Sequence, residues 1–350
     1  MENKEKGGQA ANSEMHGKDT ENSVNNDTKI TPDAIKKEFE KTDEEQEAGF
    51  FRIRSANKCI DDAKNQSQPR DLYKNLIFEG EITLLFADTG VGKSILSVQI
   101  AHKISETDKV LYLDLELSDK QFQKRYSENY QNDFVFSDNF IRIDFKRPFQ
   151  IPKGANYDDY FIQSIKKAIK KTDAKIVIID NMTKLISSDT DKASTAKPLM
   201  DLLSNLKFEY NLTLLLLEHT RKIDLSRPIS LNDLQGSKHK PNFADAVFAI
   251  GKSAVEKNIR YIKQLKCRSS EIIYDSDNIA VCEIIKENSF LKLKFISFDT
   301  EYNHLKEPSE NAKKELIERV KELSNKGMKQ REIAAELKIA LGTVSNYLKK

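Results

Sequence analysis

ITLLFADTGVGKSILSVQIAHKI, residues 82–104, decides the fold. Its first six residues, ITLLFA (82–87), are an apolar run of strand length. A glycine-containing turn follows, and SILSVQIAHKI (94–104) then carries its apolar residues at helical spacing. In that setting Ala87-Asp88-Thr89-Gly90-Val91-Gly92-Lys93-Ser94 reads as a Walker A phosphate cradle, not a chance string. Gly90 and Gly92 let backbone N–H groups approach phosphate oxygens, and the helix N-terminus adds its dipole. Lys93 is expected to reach the β- and γ-phosphates and the Ser94 hydroxyl to ligate Mg²⁺. Ala87 stands where the pattern has its first glycine; a positive φ there would cost about 1 kcal/mol.

Working outward, VLYLDLE (110–116), KIVIID (175–180) and LTLLLLE (212–218) repeat the buried-strand signature, with a weaker strand at FIRIDF (140–145). Between them SDKQFQKRYSENY (118–130), YFIQSIKKAIKK (160–171) and PLMDLLSNLKFEY (198–210) read as helices. Apolar strands alternating with helices predict an α/β fold with a mainly parallel sheet covered on both faces. A loop-like stretch spans 225–243, and AVFAIG, NIRYIKQLKC, AVCEIIKE and FLKLKFISF then alternate as antiparallel strands. The expected organisation is a disordered acidic tail over 1–48 with a short helix from Pro32 to Glu47, an ATPase domain over 49–299, a linker over 300–311 and a small all-α unit over 312–350.

Charged residues make up 32% of the 350 and hydrophobic ones 38%, which allows one full core with a heavily solvated surface. No apolar run approaches the roughly 20 residues that span a bilayer, and no signal-peptide pattern opens the chain. Cys59, Cys267 and Cys282 are scattered, so reduced thiols in a cytoplasmic protein are expected rather than disulfides or a zinc site. Residues 1–48 carry 13 acidic against 7 basic side chains; the net charge of +2 therefore leaves +8 on the remainder, compatible with a nucleic-acid partner.

Asp180 ends KIVIID, where a carboxylate can hold the water shell of Mg²⁺. The next residue is Asn181, so no second carboxylate adjoins it to act on water. Asp114 and Glu116 share a face of VLYLDLE; Glu116, at the carboxyl end, is the preferred general base and Asp114 the alternative. No NKxD-type guanine-reading motif follows, which favours ATP over GTP.

ADTGVGKS, DLELSDKQFQKR (114–125), IVIIDNMTKL (176–185) and LLLLEHTRK (214–222), in that order, resemble the RecA-like core of the RepA-type plasmid-helicase ATPases, relatives of the DnaB replicative helicases. The likeness runs over about 81–298. It implies that Glu116 is the catalytic glutamate and that His219 senses the γ-phosphate and DNA; Glu218 replaces a histidine common there. It places a DNA-facing loop at 225–243, with Gly236-Ser237 as its GS element and Lys238, His239 and Lys240 as phosphate contacts. It also identifies Lys266-Cys267-Arg268 with an element reaching into a neighbouring subunit: Arg268 as a finger in trans, Lys266 as its partner at the nucleotide. A hexamer is implied.

GMKQREIAAELKIALGTVSNYLKK (327–350) resembles a helix-turn-helix of bacterial regulators and recombinases. Ile333, Ala334, Leu337, Ile339, Val344 and Leu348 would form its core, leaving Thr343, Ser345, Asn346 and Lys349 to face a major groove. The resulting expectation is an oligomeric ATPase acting on DNA in plasmid or mobile-element replication; the alternative is a DNA-binding regulator whose assembly ATP controls.

Overall fold

The computed structural model describes residues 47–48, 51–146, 150–185, 193–220, 223–234, 239–306, 310–337, 339 and 341–349. The expected tail and its helix lie outside these, apart from Glu47 and Ala48, as do Gly236, Ser237 and Lys238. Two compact units are present, Met1–Gln68 and Pro69–Lys350. In the first, β1 (Glu47–Ala48) pairs with β2 (Phe51–Arg52), and α1 (Ala56–Lys64) starts where the Ser55 side chain accepts from Lys58 N.

The second unit opens with a small ladder, β3 (Asp71–Tyr73) against β4 (Ile77–Phe78). Its main body alternates β5 (Ile82–Ala87), α2 (Lys93–Ile104), β6 (Val110–Asp114), α3 (Asp119–Arg125), the β7–β8 hairpin (Ser127–Glu128, Asn132–Asp133), β9 (Phe140–Ile143), α4 (Tyr157–Thr172), β10 (Ile176–Asp180), α5 (Ala193–Tyr210) and β11 (Thr213–His219). The short α6 (His239–Phe243) leads to β12 (Ala246–Lys252), β13 (Ile259–Lys266), β14 (Ile279–Glu287) and β15 (Phe290–Asp299). Nine strands form one sheet in the order β15-β14-β13-β12-β5-β11-β10-β6-β9. From β12 to β9 all neighbours are parallel; β13, β14 and β15 extend the sheet antiparallel, as expected.

The central strands are apolar throughout because both faces are covered. Leu84, Phe86, Leu111, Leu113, Val177, Ile179, Leu214 and Leu216 point to the face closed by α4 and α5. Their alternates Leu85, Tyr112, Ile178, Leu215 and Leu217 meet Leu96, Ile100 and Ile104 of α2 on the other. This is the RecA-like α/β architecture that the sequence predicts.

Two elements differ from expectation. The helix beginning at Ser118 stops at Arg125, and the chain turns into the β7–β8 hairpin with Asn129 and Tyr130 at positive φ. The reason is tertiary: Phe122, Tyr126, Phe134, Phe136, Phe140, Phe290 and His102 form one aromatic cluster that a continued helix could not close. Helix α5 begins at Ala193, five residues before Pro198, whose missing N–H leaves one carbonyl of the preceding turn without its helical donor.

Beyond β15 the chain stays on this body. Glu301, fully buried, accepts from Ile229 N (2.8 Å), Lys263 Nζ (2.5 Å), Tyr261 Oη and Ser276 Oγ, and Lys306 N donates to Leu225 O (2.8 Å). Helices α7 (Glu310–Asn325), α8 (Gln330–Leu337) and α9 (Leu341–Leu348) follow. They share a small core of Val320, Leu323, Ile333, Val344 and Tyr347. On α9 Asn346 is exposed and Thr343 and Ser345 are half-buried; Lys349, just past the helix, is exposed.

Candidate nucleotide site

The register brings the functional strand ends together. His219 pairs with Ala87 and Asp180 with Asp114, so β5, β11, β10 and β6 finish along one rim, the carboxyl rim where open α/β sheets take ligands. The cleft there is lined by Asp88, Thr89, Gly90, Gly92, Lys93, Ser94, Ile95, Glu116, Arg125 and His219.

Within the P-loop, Gly90 (φ +74°) and Gly92 (φ +118°) hold backbone conformations that L side chains rarely adopt. Gly92 caps α2 without any side-chain hydrogen bond, leaving the first N–H groups of the helix for an anion. Ala87 is the last residue of β5 and is absent from the positive-φ residues, so alanine costs nothing there. Lys93 is buried; its Nζ donates to Ala87 O (3.3 Å) and lies 3.2 Å from His219 Nδ1. Burial pushes its pKa down, against the attraction of Asp180 and Glu116.

Asp180 is 1% exposed. Its Oδ2 accepts from Tyr112 Oη (2.9 Å), which Ser97 holds in turn (2.8 Å), while Oδ1 is buried without a hydrogen-bond partner. Burial raises its pKa, and the neighbouring Ser94 hydroxyl opposes that rise. An orphaned carboxylate oxygen beside a hydroxyl fits a hard cation that keeps most of its water and phosphate ligands, as Mg²⁺ does. Among the described residues no cluster of three or more His, Cys, Asp or Glu offers a self-sufficient metal cage. Bound there, Mg²⁺ would neutralise phosphate charge.

The two acids at and just past the end of β6 sit in different surroundings. Asp114 is buried; it accepts from Leu117 N (2.9 Å) and pairs with Arg142 Nε (2.9 Å), which fixes the turn after the strand. It is therefore unavailable as a base. Glu116, past the strand end, is exposed and faces the cleft. His219 beside it (Nε2–Oε1 3.8 Å), when charged, and Lys93 hold its carboxyl below the usual range. Asn181 Nδ2 donates to Glu116 Oε1 and lies 3.1 Å from His219 Nε2. Arg125 joins the lining with Nη1 buried and without a hydrogen-bond partner, a cation that no motif in the sequence marks.

Other expected residues lie elsewhere. Lys240 corrects the loop reading: it is wholly buried, with Nζ 2.7 Å from Glu218 Oε1, so it offers nothing to a DNA phosphate in this conformation. The resemblance made Lys240 a phosphate contact, but α6 turns it inward to neutralise a buried acid. His239 starts that helix. Lys266, expected at a nucleotide, instead caps the carboxyl end of α6 through Pro241 O (2.7 Å) and Ala244 O (2.6 Å). Arg268 binds Asp245 Oδ1 (3.1 Å), and Asp245 accepts from Ile82 N (2.9 Å) at the far end of β5. From Ile82 to Ala87 is roughly 16 Å of strand, so neither Lys266 nor Arg268 serves its own P-loop.

Residues 52–224 match the family model of an AAA domain. The matched span holds a P-loop ATPase domain. It takes in the P-loop, Glu116, Asp180 and His219, while β12 to β15 lie beyond it. No curated protein matches the chain. Among the described residues no helix is long and apolar enough to cross a membrane.

Proposed function

We propose that this ATPase hydrolyses ATP with Mg²⁺ as a homo-oligomer acting on DNA, a helicase-type motor or switch for a plasmid or mobile element, in the cytoplasm. The carrying observation is the link at the end of β11. His219 lines the phosphate cleft, and the preceding residue, Glu218, is bonded to Lys240, within the stretch 225–243 that the resemblance gives to DNA. A change at the phosphates thus has a two-residue route to that loop. Ser94 and Asp180 would hold Mg²⁺, Lys93 and the P-loop amides the phosphates, and Glu116 would take the proton of the attacking water.

ATP turnover with and without single-stranded and duplex DNA tests the reading. DNA should stimulate turnover, and Glu116→Gln should bind nucleotide normally while losing roughly 100-fold or more in kcat. Turnover indifferent to DNA would end the DNA role; normal kcat in Glu116→Gln would end the base assignment. For the oligomer, the distance of Arg268 from its own cleft supports action in trans. Mixing Arg268→Ala with Lys93→Ala subunits should restore part of the activity that each lacks alone, and no restoration would refute a shared site.

A second reading keeps the ATPase but makes the C-terminal unit the output: a regulator assembled by ATP that recognises duplex DNA. Asn346 on α9 and Lys349 just after it, both exposed, favour it. It predicts ATPase without strand displacement on forked DNA.

A further inference from the structure

His219 lies between two groups that both donate. Lys93 Nζ has only N–H bonds to offer and sits 3.2 Å from Nδ1. On the other side, the amide of Asn181 is oriented by its own contacts: Oδ1 accepts from Thr183 N (3.1 Å) and from Thr183 Oγ1. That leaves Nδ2 toward Glu116 and His219, and its two hydrogens match two acceptors, Glu116 Oε1 and His219 Nε2. The reverse orientation would set an amide oxygen against a carboxylate and an amide nitrogen against the Thr183 N–H. A neutral imidazole has one accepting nitrogen, so it cannot satisfy Lys93 and Asn181 together. A triphosphate in the P-loop draws the Lys93 ammonium to its own oxygens, and Asn181 is then the remaining donor.

We propose that Asn181 is a positioning residue that sets the tautomer of His219. By donating to Nε2 it leaves the proton on Nδ1, the nitrogen that faces the P-loop, so His219 can donate to a terminal phosphate oxygen. The second hydrogen of the same amide holds Glu116, which ties base and phosphate sensor to one side chain. The assignment rests on the ATPase reading and names how its sensor is prepared. An orienting partner that fixes which imidazole nitrogen carries the proton is a familiar requirement of histidine chemistry.

The test uses the full chain with ¹⁵N-labelled histidine, His219 being assigned by comparison with His219→Gln. With a non-hydrolysable ATP analogue and Mg²⁺, the ring-nitrogen shifts of wild type should report Nδ1–H. In Asn181→Asp the new carboxylate can only accept, and His219 should move to Nε2–H. Asn181→Asp and Asn181→Ala should each lose roughly 10–100-fold in kcat, with analogue affinity within about threefold of wild type. A residue that merely supports the fold would lower affinity and Tm together and leave the tautomer unchanged. Nε2–H in the wild-type complex, or wild-type kcat in both variants, overturns the proposal. Should wild type show no ATP turnover, the ATPase reading falls, and the nitrogen shifts still decide the tautomer.

Discussion

Lys93→Ala is expected to lose nucleotide binding and at least on the order of 10³ in turnover, the scale on which a cation held against a transferring phosphoryl group counts. The fold should survive. Burial depresses the folded pKa of Lys93, which means that its protonated form is favoured in the unfolded chain. At neutral pH, where the unfolded lysine is charged, Lys93 therefore costs stability, and that cost fades only as pH rises toward the usual lysine range. Lys93→Ala should have a Tm equal to or above wild type while its affinity for a fluorescent ATP analogue vanishes. Retained turnover would remove the P-loop assignment; lost affinity with a collapsed Tm would mean that the variant fails through folding.

Lys240→Met should be the most destabilising single change among the residues discussed. Glu218 and Lys240 are 1% and 0% exposed, and a buried ion pair is poor evidence of net stabilisation, since desolvation offsets its attraction. Breaking it is another matter: removing one partner strands the other charge, at about 3–5 kcal/mol. Glu218 already has its pKa raised by burial, with Lys240 opposing the rise. Without Lys240 the folded pKa climbs further above the unfolded one, so protonated Glu218 suits the fold. The deficit should shrink as pH falls toward the ordinary carboxylate range and grow above it. Denaturant melts at two pH values check the sign, and the double variant Glu218→Leu/Lys240→Met should recover most of the loss. A loss below 1 kcal/mol in Lys240→Met would show that the pair is loosely held.

The parallel sheet was legible because β5, β6, β10 and β11 are uninterrupted apolar runs, a pattern that only a strand buried on both faces produces. The P-loop was legible because its glycines and lysine sit at a strand–helix junction. What period and motif could not reach was set by contacts distant in sequence. Nothing near Tyr126 announces the aromatic cluster that ends α3, since three of its members lie from Phe134 to Phe140 and one at Phe290. Glu116 was preferred to Asp114 for its place at the carboxyl end of the strand, but sequence could not show that Arg142, on the next strand over, occupies Asp114. Lys240 read as a phosphate contact because its carboxylate partner is 22 positions away. Asn181 was passed over as a residue that is not an acid, whereas its contribution is the direction in which an amide points.

The junction at Glu301 has one more consequence. The chain leaves the sheet through 301–306, and that exit is stitched to the root of the 225–234 segment at Ile229 and Leu225. The chain thus leaves the sheet for the C-terminal helices from an exit fastened to Leu225 and Ile229, inside the 225–243 stretch that the proposed function gives to DNA.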